Sequence, residues 1–169
     1  MKRINISPTD LSKFFWNKIL ENSFIKSEIY KKDFFSKIDS LEKLRLESDY
    51  NTGSISSTSS WLLYSLVIFF KPKTIIEIGS FIGKSTISMA LGADDYIDEH
   101  KCEIFCCDMS NDIKLPKLSK TKITQFNKTK STDMLKNLDG NMSFDLVHVD
   151  GRLENEDFEI LKRNINERT

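Results

Sequence analysis

The sequence predicts an α/β fold: a Rossmann-like doubly wound parallel sheet, partial at about four strands, with an N-terminal helical extension. Three observations predict it. From residue 74 onward, short apolar runs alternate with helix-like segments, the pattern of strands buried on both faces and the helices that cover them. The first run ends in a glycine turn, "GSFIGKST", which opens the next helix. Two later runs end in aspartate, at Asp108 and Asp150, and parallel sheets gather their ligands beyond the carboxyl ends of the strands.

The elements follow in order. Ser7-Pro8-Thr9-Asp10 is a helix start, with Ser7 as N-cap and Leu11, Phe15 and Ile19 recurring at helical spacing. Phe34, Ile38, Leu41 and Leu44 predict a second amphipathic helix. "NTGSISSTSS" (residues 51–60) reads as a loop leading into the apolar helix that begins at Trp61. "TIIEI" is the first strand, and "KSTISMALG" is a helix closed by Gly92. "EIFCCD" and "KITQF" are the second and third strands, and "STDMLKNL" is a helix capped by Ser131. "FDLVHVDG" is the fourth strand, followed by a helix with Phe158, Leu161 and Ile165 on one face. Residues 1–54 therefore form the helical extension and residues 55–169 the sheet domain.

Composition bounds the function. At 169 residues the chain can build a core of its own. A formal net charge of zero carries no footprint of a nucleic-acid binder. The apolar run at residues 61–70 is about half the length of a membrane span, and the N-terminus has no signal-peptide apolar region. Cys102, Cys106 and Cys107 cannot make a disulfide framework, so a cytoplasmic setting is expected. His100 with these cysteines matches no zinc spacing, and adjacent cysteines on a strand face opposite ways. They read as small buried hydrophobes.

The glycine turn invites two readings. Gly83-Lys84-Ser85-Thr86 resembles the end of a P-loop, but only three residues separate Gly79 from Gly83 where that loop needs four. The dinucleotide fingerprint needs a second glycine at position 81, which is Phe. There remains E-x-G-x-x-x-G at a strand-to-helix turn, with an acid closing the next strand. Glu77 suits a cationic ligand, and Asp108 is placed to accept hydrogen bonds from two ribose hydroxyls. Gly79 permits the sharp turn, and Gly83 keeps a side chain away from a ligand lying at the helix N-terminus. A ligand with a ribose, a positive charge and no phosphate meets these demands, and S-adenosylmethionine (SAM) is such a ligand.

"IIEIGSFIGKST", "EIFCCDMS" and "FDLVHVDG" together resemble the first, second and fourth strand motifs of class I SAM-dependent methyltransferases. "HVDGRLENEDF" is similar to their small-molecule O-methyltransferase-like subgroup. The resemblance implies that Glu77, Gly79, Ser80, Phe81, Gly83 and Ser85 surround the methionine part of the cofactor. It further implies that Asp108 holds the ribose, Met109 packs on the adenine, and Lys130-Ser131 lie at the adenine edge. Leu153 stands where the subgroup commonly has His. The family sheet has seven strands and only four are found, so the resemblance leads us to expect a chain truncated after the fourth strand. An edge left open there would suit a homo-oligomer or a partner chain.

Asp150 is the leading candidate for chemistry: it could bind the cofactor ammonium, orient an acceptor hydroxyl or hold a divalent cation. His148 lies two residues earlier on the same side of the strand and is the second catalytic candidate. No Pro-Pro-aromatic motif of amino-methylating enzymes follows the fourth strand. The expected reaction is methylation of an oxygen on a small molecule or sugar. Two alternatives stay open: a P-loop-type NTPase or kinase using residues 79–86, and a non-catalytic truncated SAM-binding module.

Overall fold

The apolar runs form strands because β-branched and aromatic residues fit a sheet that is covered on both sides. The computed structural model describes residues 7–20, 27–47, 54–95, 101–109 and 113–165. Its elements run α1 (Pro8–Leu20), α2 (Ser27–Asp39), α3 (Glu42–Glu47), α4 (Ser57–Phe70), β1 (Thr74–Ile78), α5 (Lys84–Asp95), β2 (Glu103–Asp108), β3 (Lys122–Asn127), α6 (Ser131–Leu138), β4 (Leu146–Val149) and α7 (Asn155–Asn164). The four strands form one parallel sheet in the order β3-β2-β1-β4. β1 is central: Glu77 stands opposite Cys106 on one side and His148 on the other.

Alternation splits the strands between two layers. Ile76, Ile78, Phe105 and Cys107 pack with Met134, Leu135, Ile160 and Leu161 of α6 and α7. Ile75, Cys102 and Ile104 pack with Val67 of α4 and Met89 and Ala90 of α5. The sheet is therefore doubly wound, as expected. The N-terminal helices share a core with it: Phe34, Ile38 and Leu41 join Trp61, Tyr64, Ile68, Ile87 and Leu91 in one cluster. Its rings are close, with Trp61 stacked on Tyr64 at 4.9 Å and Phe34 at 4.8 Å from Tyr64. Aromatic pairs of this kind contribute about 1 kcal/mol each beyond area burial.

Several local expectations change. Ser7 caps α1, its Oγ accepting the Asp10 N–H, but the side chains of Phe15 and Ile19 lie outside the described residues. The predicted second helix is two, broken at Ser40-Leu41. α4 begins inside the supposed loop, because Ser56 is its N-cap and accepts the Ser59 N–H. Residues 51–53 of that loop and His100 are outside the described residues. Lys130, not Ser131, occupies the N-cap of α6. On α7 the inward side chains are Asp157, Ile160, Leu161 and Asn164, while Phe158 and Ile165 are exposed. The cause is a capping box between Glu154 and Asp157, which turns Asp157 inward. β4 borders the described sheet on one side and leaves Val149 exposed.

Gly92 does not end its helix; it lies within α5. A Cβ there would stand 2.6 Å from the Tyr64 carbonyl oxygen, so Gly92 is what lets α4 and α5 approach closely. Ala at this position gains about 1 kcal/mol of helix propensity but forces the two helices apart. Gly92→Ala is expected to lower the melting temperature by roughly 3–10 °C, a net loss of about 1–3 kcal/mol. An unchanged or higher melting temperature would mean that the helices separate without cost.

Candidate functional site

The carboxyl ends of β1, β2 and β4 converge because the chain turns sharply after each. Gly79 (φ +90°), Phe81 (φ +44°) and Gly83 (φ +77°) all adopt left-handed backbone, which glycine accepts freely and Phe does not. The turn is held by the N–H groups of Gly79 and Ser80, which donate to the Cys107 carbonyl at 3.0 and 3.1 Å. The Gly83 N–H closes it on the Ser80 carbonyl at 2.6 Å. Phe81 is kept in its strained conformation by its N–H, which donates to the Asp108 carboxylate at 2.7 Å. Asp108 is thus both a wall of the site and a support of the loop.

Beyond these ends lies an open cavity of about 780 Å³. Gly79 from the β1 turn, Asp108 and Met109 from β2, Lys130 and Ser131 from the start of α6, and Asp150 and Arg152 after β4 all line it. A small recess of about 10 Å³ adjoins, bounded by Ser54, Ile55, the residues 79–82, Lys84, Ser85 and again Asp150. The Ser54 hydroxyl is buried there without a hydrogen-bond partner among the described residues, which is costly unless a polar ligand or water completes it; the Ser80 hydroxyl has only the weakly bonding Cys106 thiol beside it. Sequence reading missed Ser54; its only signal was its place in a Ser-rich segment just before the apolar helix.

Of the predicted site residues, Gly79, Ser80, Phe81, Ser85, Asp108, Met109, Ser131 and Asp150 reach the cavity or its recess. Three do not. Glu77 is fully buried; its carboxylate accepts from the Thr86 hydroxyl and faces His148 Nδ1 at 3.3 Å. His148 pairs with Glu77 there and borders neither space. Gly83 lies under Leu115, whose Cδ2 would stand 2.0 Å from a Cβ on Gly83. Its missing side chain makes room for the β2–β3 connection. Ser131 lines the cavity, but its hydroxyl donates to Asp157 at 2.7 Å.

Asp157 organises that rim. Fully buried, it accepts from Ser131, from Thr132 at 2.6 Å and from the Glu154 N–H at 2.9 Å. Burial pushes its carboxyl up, but these donors outweigh it and hold it below the ordinary carboxylate range. Lys84 is 5% exposed and engaged by Glu42 at 2.7 Å, so its ammonium is committed to a carboxylate rather than open to a phosphate. The cysteines behave as buried hydrophobes: burial pushes the Cys107 thiol up to about 12 and raises Cys106 as well. Among the described residues no group of three His, Cys, Asp or Glu could hold a metal ion, and no helix is long and apolar enough to cross a membrane.

Burial opposes charge on His148, but the hydrogen bond and charge of Glu77, with the charge of Asp150, outweigh it and raise its pKa. The protonated form is therefore favoured by folding. Its contribution is complete below the unfolded value of about 6.5 and is lost as pH rises through the folded value. The melting temperature of the unchanged chain, relative to a His148→Asn variant, is expected to fall as pH rises above about 6.5. Parallel melting curves for the two chains would refute the raised value.

No protein-family model matches the chain, and no curated protein matches it. Solved structures do. The chain is similar to an O-methyltransferase from Bacillus cereus in complex with SAH, at 18% identity and a TM-score of 0.64, over 78% of this chain and 62% of that one. It is similar to the O-methyltransferase TomG from Streptomyces achromogenes, involved in tomaymycin synthesis and solved with SAM, at 20% identity and a TM-score of 0.61, over 77% and 60%. A SAH-bound methyltransferase from Podospora anserina gives 18% identity and a TM-score of 0.60, over 99% and 70%. The chain thus spans about six-tenths of the length of the first two. What these likenesses establish is the architecture: the parallel sheet with its flanking helices is the Rossmann-like fold of class I O-methyltransferases.

Proposed function

We propose that the chain binds SAM and transfers its methyl group to an oxygen of a small molecule or sugar. The observation that carries this reading is the convergence of Asp108, the Gly79 turn and Asp150 on one cavity, with the orphaned hydroxyl of Ser54 beside it. These groups fit the ligand. Asp108 suits the ribose hydroxyls, Met109 offers an apolar surface to the adenine, and Ser54, Ser80 and Ser85 suit the polar methionine tail. The SAM- and SAH-bound neighbours support the same assignment. SAM, when bound, supplies an electrophilic methyl group on a sulfonium.

The chain's own contribution is alignment and proton handling. Asp150 is exposed and borders both spaces; in this reading its carboxylate orients an acceptor hydroxyl and takes its proton. His148 acts behind it, held by Glu77 on the sheet and adding its charge to the field at Asp150. A small-molecule acceptor is the reading that the net charge of zero and the O-methyltransferase neighbours support.

Calorimetric titration with SAH, and separately with Mg-ATP, tests the reading. SAH is expected to bind, and Asp108→Ala to weaken it roughly 10- to 100-fold through loss of charge-assisted hydrogen bonds. With hydroxylated acceptors, Asp150→Ala is expected to lower kcat at least about 100-fold. Mg-ATP binding without SAH binding would restore the phosphate-loop reading. SAH binding without turnover on any acceptor would leave a cofactor-binding module.

A further inference from the structure

Lys84 gives the glycine turn its resemblance to a phosphate loop, yet it occupies a poor place for a cation. It is the first residue of α5, at the positive end of the helix dipole, and only 5% of its side chain is exposed. Both facts disfavour an ammonium unless a counter-charge is supplied. Glu42, the first residue of α3, supplies it at 2.7 Å from a position 42 residues earlier in the chain. Glu42 itself keeps 37% exposure. The residue before it, Leu41, is buried in the same cluster as Ile87 of α5. The N-terminal segment returns to the turn a second time, where Ser54 and Ile55 border the recess shared with Gly79, Ser80, Lys84 and Asp150.

The geometry points to Lys84 as a positioning residue: its ion pair with Glu42 seats the N-terminal helices on the glycine turn, and ligand binding and this seat strengthen one another. The ion pair holds α3 against the turn and Ser54 shares the recess beside it, so displacing α3 loosens the wall that faces the ligand. Linkage makes the effect reciprocal, since a ligand that favours the ordered turn favours the seated helix by the same factor. The inference rests on the methyl-donor reading for its probe, SAH, and stands apart from it in its ligand-free arm.

The test uses the full chain with Lys84→Met, Lys84→Arg, Glu42→Gln and the Lys84→Met/Glu42→Gln double variant. Melting temperature, hydrogen exchange over residues 31–47 and SAH affinity are measured for each. Glu42→Gln strands a buried ammonium and is expected to lower the melting temperature by roughly 5–10 °C. Lys84→Met is expected to lower it less, because Glu42 reaches water, and the double variant to match Lys84→Met rather than add to it. Without ligand, Lys84→Met is expected to speed exchange over residues 31–47 at least about tenfold. SAH is expected to slow that exchange in the unchanged chain and to bind Lys84→Met about tenfold more weakly, with Lys84→Arg within about twofold of the unchanged chain. Unchanged exchange and affinity in Lys84→Met would overturn the seat. Lost affinity with unchanged exchange would also overturn it, returning Lys84 to direct ligand contact. If the unchanged chain ignores SAH, the methyl-donor reading and the coupling both fall, while the ligand-free exchange still decides whether the pair seats the helices.

Discussion

The site exists because three strand ends are stitched to one another across a turn whose first position tolerates no side chain. A Cβ on Gly79 would stand 2.6 Å from the Asp150 carbonyl oxygen, so hydrogen at that position is what lets β1 and β4 finish side by side. The stitches run outward from there: Asp150 N–H to the Ile78 carbonyl, Gly79 N–H to the Cys107 carbonyl, and Thr129 N–H to the Asp108 carbonyl. The first two bonds carry the ladder one residue past its strand and the third two residues past, and together they deliver two aspartates and the glycine turn to the same crevice. The chemistry proposed for Asp108 and Asp150 inherits its geometry from these backbone bonds.

Behind the crevice, the sheet face covered by α5 is not purely apolar. Cys106, Glu77 and His148 form a row across β2, β1 and β4, and Thr86 of α5 closes on the carboxylate at its centre. A carboxylate this deep is tolerable only when its oxygens are bonded. Hydroxyl and imidazole meet that need from separate elements, which ties helix, central strand and border strand together. Asp157 repeats the arrangement on the opposite layer, joining the first turns of α6 and α7 under the cavity rim.

What could be read from the sequence follows from the range of the interaction. Strands with continuous apolar runs, the Ser7 cap and the aspartates at strand ends depend on neighbours in sequence, and they were legible. Glu77 was legible as important but not in its orientation, because its partners Thr86 and His148 lie 9 and 71 residues away. Gly83 was noticed for a ligand and serves Leu115, a contact only the folded β2–β3 connection creates. Gly92 looked like a helix end because glycine so often is one; the carbonyl of Tyr64 explains it instead. Lys84 was hidden most completely, since nothing near "GKST" announces Glu42.

The strand order has a consequence for how the chain is made. β1, β2 and β3 emerge from the ribosome in sequence and pair as neighbours, whereas β4 takes the free side of β1 some seventy residues after that strand was synthesised. Until residue 148 is available, Glu77 must wait with only the Thr86 hydroxyl for company, and Asp145 has not yet reached the N–H groups of Lys73 and Thr74 at the other end of β1. Synthesis runs from the N-terminus, so the cavity, which needs Asp150, cannot close before β4 has been made. A chain ending before β4 would lack both the imidazole that faces Glu77 and the Asp145 carboxylate that holds the start of β1.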